Sequence, residues 1–528
     1  MSSAKKVVLI RPPMLIPRYS FTGLTVPPLG LAYVAAAVRQ EGHRLILIDA
    51  VGEAIETYSP LYDDYIVHGL STEQILDRIP PEADYIGVSC MFSHESLVYR
   101  NLIQAVKERF PRIPIMAGGE HITALSEESL EKYAGLDLVV LGEGDETICD
   151  VVAGGCSDEE LSRVPGVAWR DRGGHFRTSG PRARVREIDS FPRPAWDLVP
   201  LENYWKYGMG LGVDRGRSMP MLATRGCPYQ CTFCSNPAMW TTRWIARKPQ
   251  EVLAEMRHYV EKYKAVNFDF YDLTAIVNRQ WIVEFCNAVI DSGLKFSYQL
   301  PSGTRSEAID DEVAGLLYRS GCRNMTYAPE SGSPDTLTRI KKRIKVDRVL
   351  DSMRSCRKEN LNVKANIIVG FPGETVADLF RTYGFILRMA VAGVFDVTIQ
   401  PFSAYPGSEL FNDLRREGRI AALDDEYFLA LANYSDLSKA VSWSKNLSAG
   451  ALLRFRTLGM LSFYAVSYAL RPWRFVKVVS NLLHKKQESR IERALSDIFQ
   501  RKSVLARDLA SKSRLATAAQ AVARPPYI

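Results

Sequence analysis

The segment ATRGCPYQCTFCSNP places Cys227, Cys231 and Cys234 within eight residues. The spacing Cys-x3-Cys-x2-Cys lets one short loop present three thiolates to separate corners of a single cluster, and thiolates are the usual ligands of iron–sulfur clusters. A cube of four irons and four sulfides held this way keeps one iron open to a small molecule. Zinc is the competing occupant, but a zinc site asks for a fourth Cys or His. The nearest histidine, His258, falls in a helical pattern. The other six cysteines, at 90, 149, 156, 286, 322 and 356, are isolated, several of them in apolar runs, and read as small buried hydrophobes. In a long intracellular chain they do not suggest a disulfide framework.

A loop can hold three thiols in register only when rigid elements carry it. The chain has 528 residues, of which 46% are hydrophobic, too many for one core and enough for about three domains. In residues 1–165 five apolar runs, VVLI, LILI, YIGVSC, IPIMAGG and LDLVVLGEG, alternate with helical patterns. That rhythm predicts an α/β fold with a doubly wound parallel sheet. Ligands of such sheets bind at the carboxyl ends of the strands. Residues 166–218 read as a small hairpin turning at Gly173-Gly174, followed by a proline-rich linker across the second domain. Residues 219–410 hold six further strand–helix units: too few for an eight-unit barrel, and fitting a six-unit partial TIM-like (β/α)6 barrel. Residues 411–500 read as a helical C-terminal domain, and 501–528 as a flexible tail.

The cysteine loop and the motifs after it resemble the radical S-adenosylmethionine superfamily. YDLTAIVN (271–278) is similar to that family's acidic stretch, although its usual paired aspartates are Tyr271-Asp272 here. PESGSPDTL (329–337), NIIVGFPGET (366–375) and PFSAYPGSEL (401–410) resemble the motifs of the fourth, fifth and sixth strands. The resemblance implies that Cys227, Cys231 and Cys234 hold a 4Fe-4S cluster whose open iron chelates S-adenosylmethionine. It also implies that Phe233, Asp272, Glu330, Ser331, Gly370, Phe371 and Pro372 line the S-adenosylmethionine site, with Glu330 and Ser331 on polar groups and Gly370 to Pro372 against the adenine.

PPLGLAYVAAAVRQEGH, GVSCMF, AGGEHIT and LGEGDET, in that order, are similar to the cobalamin-binding domain that precedes many radical S-adenosylmethionine enzymes. The resemblance implies cobalamin over the strand ends, at Ser89, Gly118, Gly119, Glu120, Gly142, Glu143 and Gly144. A dinucleotide reading is the alternative, but RPPMLIPRY stands where a GxGxxG turn would follow the first strand. Asp-x-His-x-x-Gly, the motif that supplies a cobalt-ligating histidine, is absent. The implied cobalamin is therefore base-off with no histidine ligand, and His94 is the only candidate near the cobalt face.

The net charge of +7 is unevenly placed. Residues 439–528 hold 17 Lys/Arg against 4 Asp/Glu, a net of +13, which leaves −6 on the rest. In 451–484 five cations interleave with aromatic residues. The segment reads either as helices covering the open side of the barrel or as a peripheral contact with anionic lipid. Nucleic-acid binding is not expected, because the other domains are net acidic and no nucleic-acid fold is recognisable. The chain carries neither a signal peptide nor a run long enough to span a bilayer, so a cytoplasmic location, with peripheral contact at the inner membrane face, is expected. The resemblance implies a cobalamin-dependent methyltransferase acting on an unactivated carbon of a small-molecule or lipid-like substrate and fed by an external donor such as flavodoxin or ferredoxin. A radical cyclase and a non-catalytic redox sensor are the alternatives.

Overall fold

The computed structural model describes residues 4–20, 25–62, 64–305, 308–484 and 486–497. The tail expected at 501–528 lies outside them. The five predicted N-terminal strands form a parallel sheet: Arg44–Asp49, Lys6–Arg11, Tyr85–Ser89, Ile115–Gly118 and Leu138–Val140, in spatial order. Their side chains are buried on both faces, as a sheet covered by crossover helices requires.

The hairpin assigned to the linker belongs to this sheet instead. Val167–Arg170 pairs antiparallel with Leu138–Val140, and Phe176–Thr178 pairs with Val167–Arg170. The physical reason is the edge: Leu138–Val140 would otherwise leave a row of backbone groups unpaired. A three-stranded antiparallel sheet, Met14–Pro17, Tyr65–His68 and Tyr58–Tyr62, was not legible in the sequence. The stretch after the hairpin crosses the second domain, with Trp196 bonded to Tyr259 and Asp189 to Arg247.

The second domain is a six-stranded parallel sheet in chain order: Ser218–Met221, Asn267–Phe270, Ser297–Thr304, Cys322–Glu330, Asn362–Val369 and Asp396–Pro401. The first and last strands are not paired, so the barrel is open. The Ala449–Leu470 helix lies against the last strand and the Val376–Ala392 helix, burying Leu452 and Phe463. Residues 487–493 close the amino end of the sheet. Asn324 and Asn362 donate to the Glu488 carbonyl, the Arg490 amide to Asp396, and the Arg493 guanidinium to the Gly212 carbonyl.

The two sheets meet at their carboxyl ends. Arg225, just ahead of the cysteine loop, makes two bonds to Asp145 (2.9 and 3.2 Å) and one to Glu143 (3.2 Å), all buried. Glu143 also takes Arg184, and the Arg225 guanidinium lies 5.0 Å from the Tyr33 ring and 4.7 Å from that of Phe191. Removing one side of such a pair leaves a buried charge without compensation. Arg225→Ala is therefore expected to lower stability by about 3–5 kcal/mol. Urea denaturation would register the loss, and limited proteolysis would cut the loosened junction first; an unchanged urea midpoint would contradict the role.

Candidate active site

The cysteine loop leaves the first barrel strand through Ala223 and Thr224. Asp272 fixes that exit. Its carboxylate accepts from the Ala223 amide and from the Thr224 hydroxyl (2.6 Å), and burial raises its pKa to about 6. The loop is then gripped from both flanks: the Thr232 amide donates to the Ile340 carbonyl (3.1 Å), and the Leu410 amide donates to the Thr232 carbonyl (2.9 Å). Cys227, Cys231 and Cys234 are half-buried free thiols. Burial raises the pKa of each, to about 12 for Cys234; Lys342 and Arg305 oppose the rise at Cys227 and Cys231.

Among the described residues no three His, Cys, Asp or Glu side chains converge on a single ion. The loop also carries buried polar atoms that lack a partner among the described residues: the Thr232 hydroxyl and both amide atoms of Asn236. Such atoms normally find a partner, and a bound polar group at this loop would provide one.

The remaining residues expected at the S-adenosylmethionine site fall into two sets. Glu330 ends its strand at φ +65°, buried, and accepts from Lys342 Nζ at 3.0 Å. The Lys342 ammonium lies 6.0 Å from the Phe233 ring. Phe233, Phe371 and Phe402 form an apolar layer, with centroid distances of 5.5 and 5.3 Å, and Pro372 follows it half-buried. These residues gather around the cysteine loop.

Asp272, Ser331 and Gly370 are engaged in structure. The Ser331 hydroxyl is fully buried against Thr382 and accepts from the Ser333 amide. Gly370 has φ +85°, and the space a Cβ would take is filled by Leu452 at 2.6 Å. Its amide donates to Glu374, a buried carboxyl raised to about 7 by desolvation. Glu374 and Lys342 were not singled out from the sequence. Glu374 stood inside a recognised motif, whereas Lys342 sits in a basic run that reads as solvated surface.

At the first sheet, Gly118 and Gly119 end the Ile115–Gly118 strand. Gly119 has φ +120°, and a Cβ there would lie 2.5 Å from the Cys90 carbonyl oxygen. Beside it Met91 and Phe92 are 39% and 53% exposed, apolar side chains at a strand end that a flat ligand would cover. Ser89 ends the neighbouring strand. Gly142 and Gly144 flank the next strand end, where the Gly142 amide donates to Thr123. Glu143, expected to face a ligand, is committed to Arg184 and Arg225. Glu120 accepts from Ser235, the residue after Cys234, and burial raises its pKa.

His94 is buried and neutral, its pKa pushed down to about 4 by desolvation, with Tyr434 6.3 Å away. Both nitrogens of His121 are taken, by Ser93 and Tyr133. A cavity lined by Phe402, Leu431, Tyr434 and Trp443 lies between these two sides: Phe402 packs on Phe371, and Tyr434 faces His94.

Residues 22–152 match the B12 binding domain family, and residues 221–386 match the radical SAM superfamily. The chain is 27% identical to an uncharacterized methyltransferase of Pyrococcus horikoshii, over 77% of this chain and 82% of that one. It is 27% identical to cytidylyl-2-hydroxyethylphosphonate methyltransferase of Streptomyces wedmorensis, over 79% and 83%. An anaerobic magnesium-protoporphyrin IX monomethyl ester cyclase of Synechocystis is 28% identical over 66% and 65%. Among solved structures, the fold is similar to the cobalamin-dependent S-adenosylmethionine radical enzyme OxsB, with TM-score 0.65 and 14% identity over 99% of this chain and 82% of that one. It is also similar to the methyltransferase TsrM of Kitasatospora setae, with TM-score 0.62 and 16% identity over 78% and 75%. With a B12-binding domain followed by a radical SAM domain, the chain belongs to the radical S-adenosylmethionine enzymes that use cobalamin.

Proposed function

We propose that the protein methylates an unactivated carbon of a small-molecule or lipid-like substrate, using S-adenosylmethionine, a 4Fe-4S cluster and cobalamin. The observation that carries this reading is the bond between Glu120, at the cobalamin-type strand ends, and Ser235, beside Cys234. It supports a reading in which the two cofactors face one another. When bound, these groups supply a radical at the cluster and a transferable methyl at the corrinoid.

The chain's own residues bind, orient and exclude water. Cys227, Cys231 and Cys234 hold the cluster. Phe233 and Phe371 offer an apolar layer to the adenine, and Glu330 with Lys342 offers a buried ionic pair to the polar end of S-adenosylmethionine. Gly118 and Gly119 leave room for the corrinoid beside Met91 and Phe92. The missing Asp-x-His-x-x-Gly motif, together with the two bonds that occupy His121, supports a cobalamin that would be held base-off without a histidine ligand. An external one-electron donor such as flavodoxin or ferredoxin supplies the reducing equivalents.

The cyclase relatives support a second reading, radical ring closure, in which cobalamin need not carry a methyl group. Product analysis separates the two. Methylation should release S-adenosylhomocysteine and 5′-deoxyadenosine in near-equal amounts with turnover; deoxyadenosine without S-adenosylhomocysteine would replace methylation by cyclisation. Anaerobically reconstituted Cys231→Ala should lose its cluster absorbance and most of its iron, while Cys286→Ala, a substitution in the core, should keep both. Retention of the full cluster spectrum by Cys231→Ala would refute the ligand assignment.

We also propose peripheral contact with anionic lipid at the inner membrane face. No helix among the described residues is long and apolar enough to cross a bilayer. The Ala449–Leu470 and Pro472–Leu483 helices nevertheless expose Leu458, Leu461, Trp473, Phe475, Val476 and Leu483, and residues 449–483 contain no Asp or Glu. An outward apolar face flanked by cations is the pattern of an interfacial helix. Co-sedimentation with phosphatidylserine-containing liposomes should fall as salt rises. Leu461→Glu together with Val476→Glu should abolish it, whereas binding of these variants equal to that of the unsubstituted protein would remove the contact.

A further inference from the structure

We infer that the segment Arg339–Arg348 is the docking surface for the external electron carrier, an acidic one-electron redox protein. This rests on the reading of Cys227, Cys231 and Cys234 as cluster ligands. The segment, RIKKRIKVDR, holds six cations and one acid in a region, residues 1–438, whose net charge is −6. Without this segment's +5, the rest of residues 1–438 carries −6 − 5 = −11, so within that region an acidic carrier is drawn here rather than elsewhere.

The segment's position is set by alternation. Ile340, Ile344 and Val346 turn inward and pack in the apolar cluster that contains Phe371 and Phe402, with Phe233 of the cysteine loop against the same cluster. The Ile340 carbonyl takes the Thr232 amide, so the segment is bonded directly between two cluster cysteines in sequence, Cys231 and Cys234. Lys342 also turns inward, to Glu330. The cations between these anchors face solvent. Arg339 and Lys341 are partly neutralised by Asp378 and Glu409. Arg343, Lys345 and Arg348 are exposed and make no ion pair among the described residues. Three uncompensated cations are thus held on a firmly packed strip beside the loop that receives the electron.

This arrangement suits a transient redox encounter. Rim charges of this kind raise the association rate, and their effect fades with salt. The carrier is oxidised by one electron, which passes to the cluster. With the cluster and S-adenosylmethionine bound, that electron would be spent on the carbon–sulfur bond, releasing methionine and, once a hydrogen atom is taken up, 5′-deoxyadenosine.

The test uses the full-length reconstituted protein and its triple variant Arg343→Glu, Lys345→Glu and Arg348→Glu. Deoxyadenosine formation is measured with reduced flavodoxin and, separately, with reduced methyl viologen, a small cation. The inference expects the flavodoxin-driven rate of the variant to fall by roughly tenfold or more, and the salt dependence seen with the unsubstituted protein to disappear. The viologen-driven rate should stay unchanged. An unchanged flavodoxin rate would overturn the docking surface. Equal losses with both reductants, or a raised KM for substrate with viologen alone, would overturn it too, by assigning the segment to the cluster site or to an anionic substrate. No deoxyadenosine from the unsubstituted protein with either reductant would overturn the cluster reading beneath it.

Discussion

Arg225 has to be satisfied before anything else at this centre can be in place. It stands two residues ahead of Cys227 and is buried, so its charge needs a partner within reach. The partners, Asp145 and Glu143, come from the carboxyl end of the other sheet. One buried ionic network therefore joins the carboxyl ends of the two sheets, alongside an apolar core that runs through both. A buried pair contributes little net stability, but it tolerates few alternative arrangements. Here it specifies orientation: the glycine-lined strand ends of the first domain can meet the cysteine loop in only one register. The bond from Ser235 to Glu120 repeats the constraint on the far side of the loop.

Around that junction the cysteine loop is held by its surroundings rather than by its own conformation. Asp272 pins its start, the carbonyl of Ile340 and the amide of Leu410 hold its middle, and the Phe233–Phe371–Phe402 layer carries its apolar side. Glu374 supports the fifth-strand turn through the Gly370 amide. The buried Glu330–Lys342 pair places opposite charges beside the loop, where the dielectric is low and each interaction counts for more than in water.

The C-terminal region shows how one segment can serve two surfaces. Arg456 and Arg474, which look in the sequence like lipid- or phosphate-facing cations, turn inward: Arg456 donates to the carbonyls of Asp436 and Lys439, and Arg474 to those of Gly393 and Val394. They cap structure. The outward faces of the same helices carry leucines, valines and Trp473. The excess positive charge of this region is thus partly architectural, and the apolar face rather than the charge count distinguishes it.

Sequence by itself determined the parts of this protein that local chemistry encodes. The alternation of apolar runs with helical patterns and the ordered strand-end motifs were enough for the α/β class and the parallel strands of the two sheets, because hydrophobic periodicity is a short-range property. Only the tertiary structure decided which polar residues remain available. Glu143, Ser331 and Asp272, expected at the cofactor sites, bond to partners 41 and 82 positions away for Glu143, 51 for Ser331, and 48 or 49 for Asp272. Lys342 looked like surface and is buried against Glu330. The hairpin that turns at Gly173-Gly174 was legible, but its place on the edge of the first sheet was not. In each case the deciding partner is distant in sequence, and the unmet hydrogen bond or charge that selects it exists only once the chain has folded.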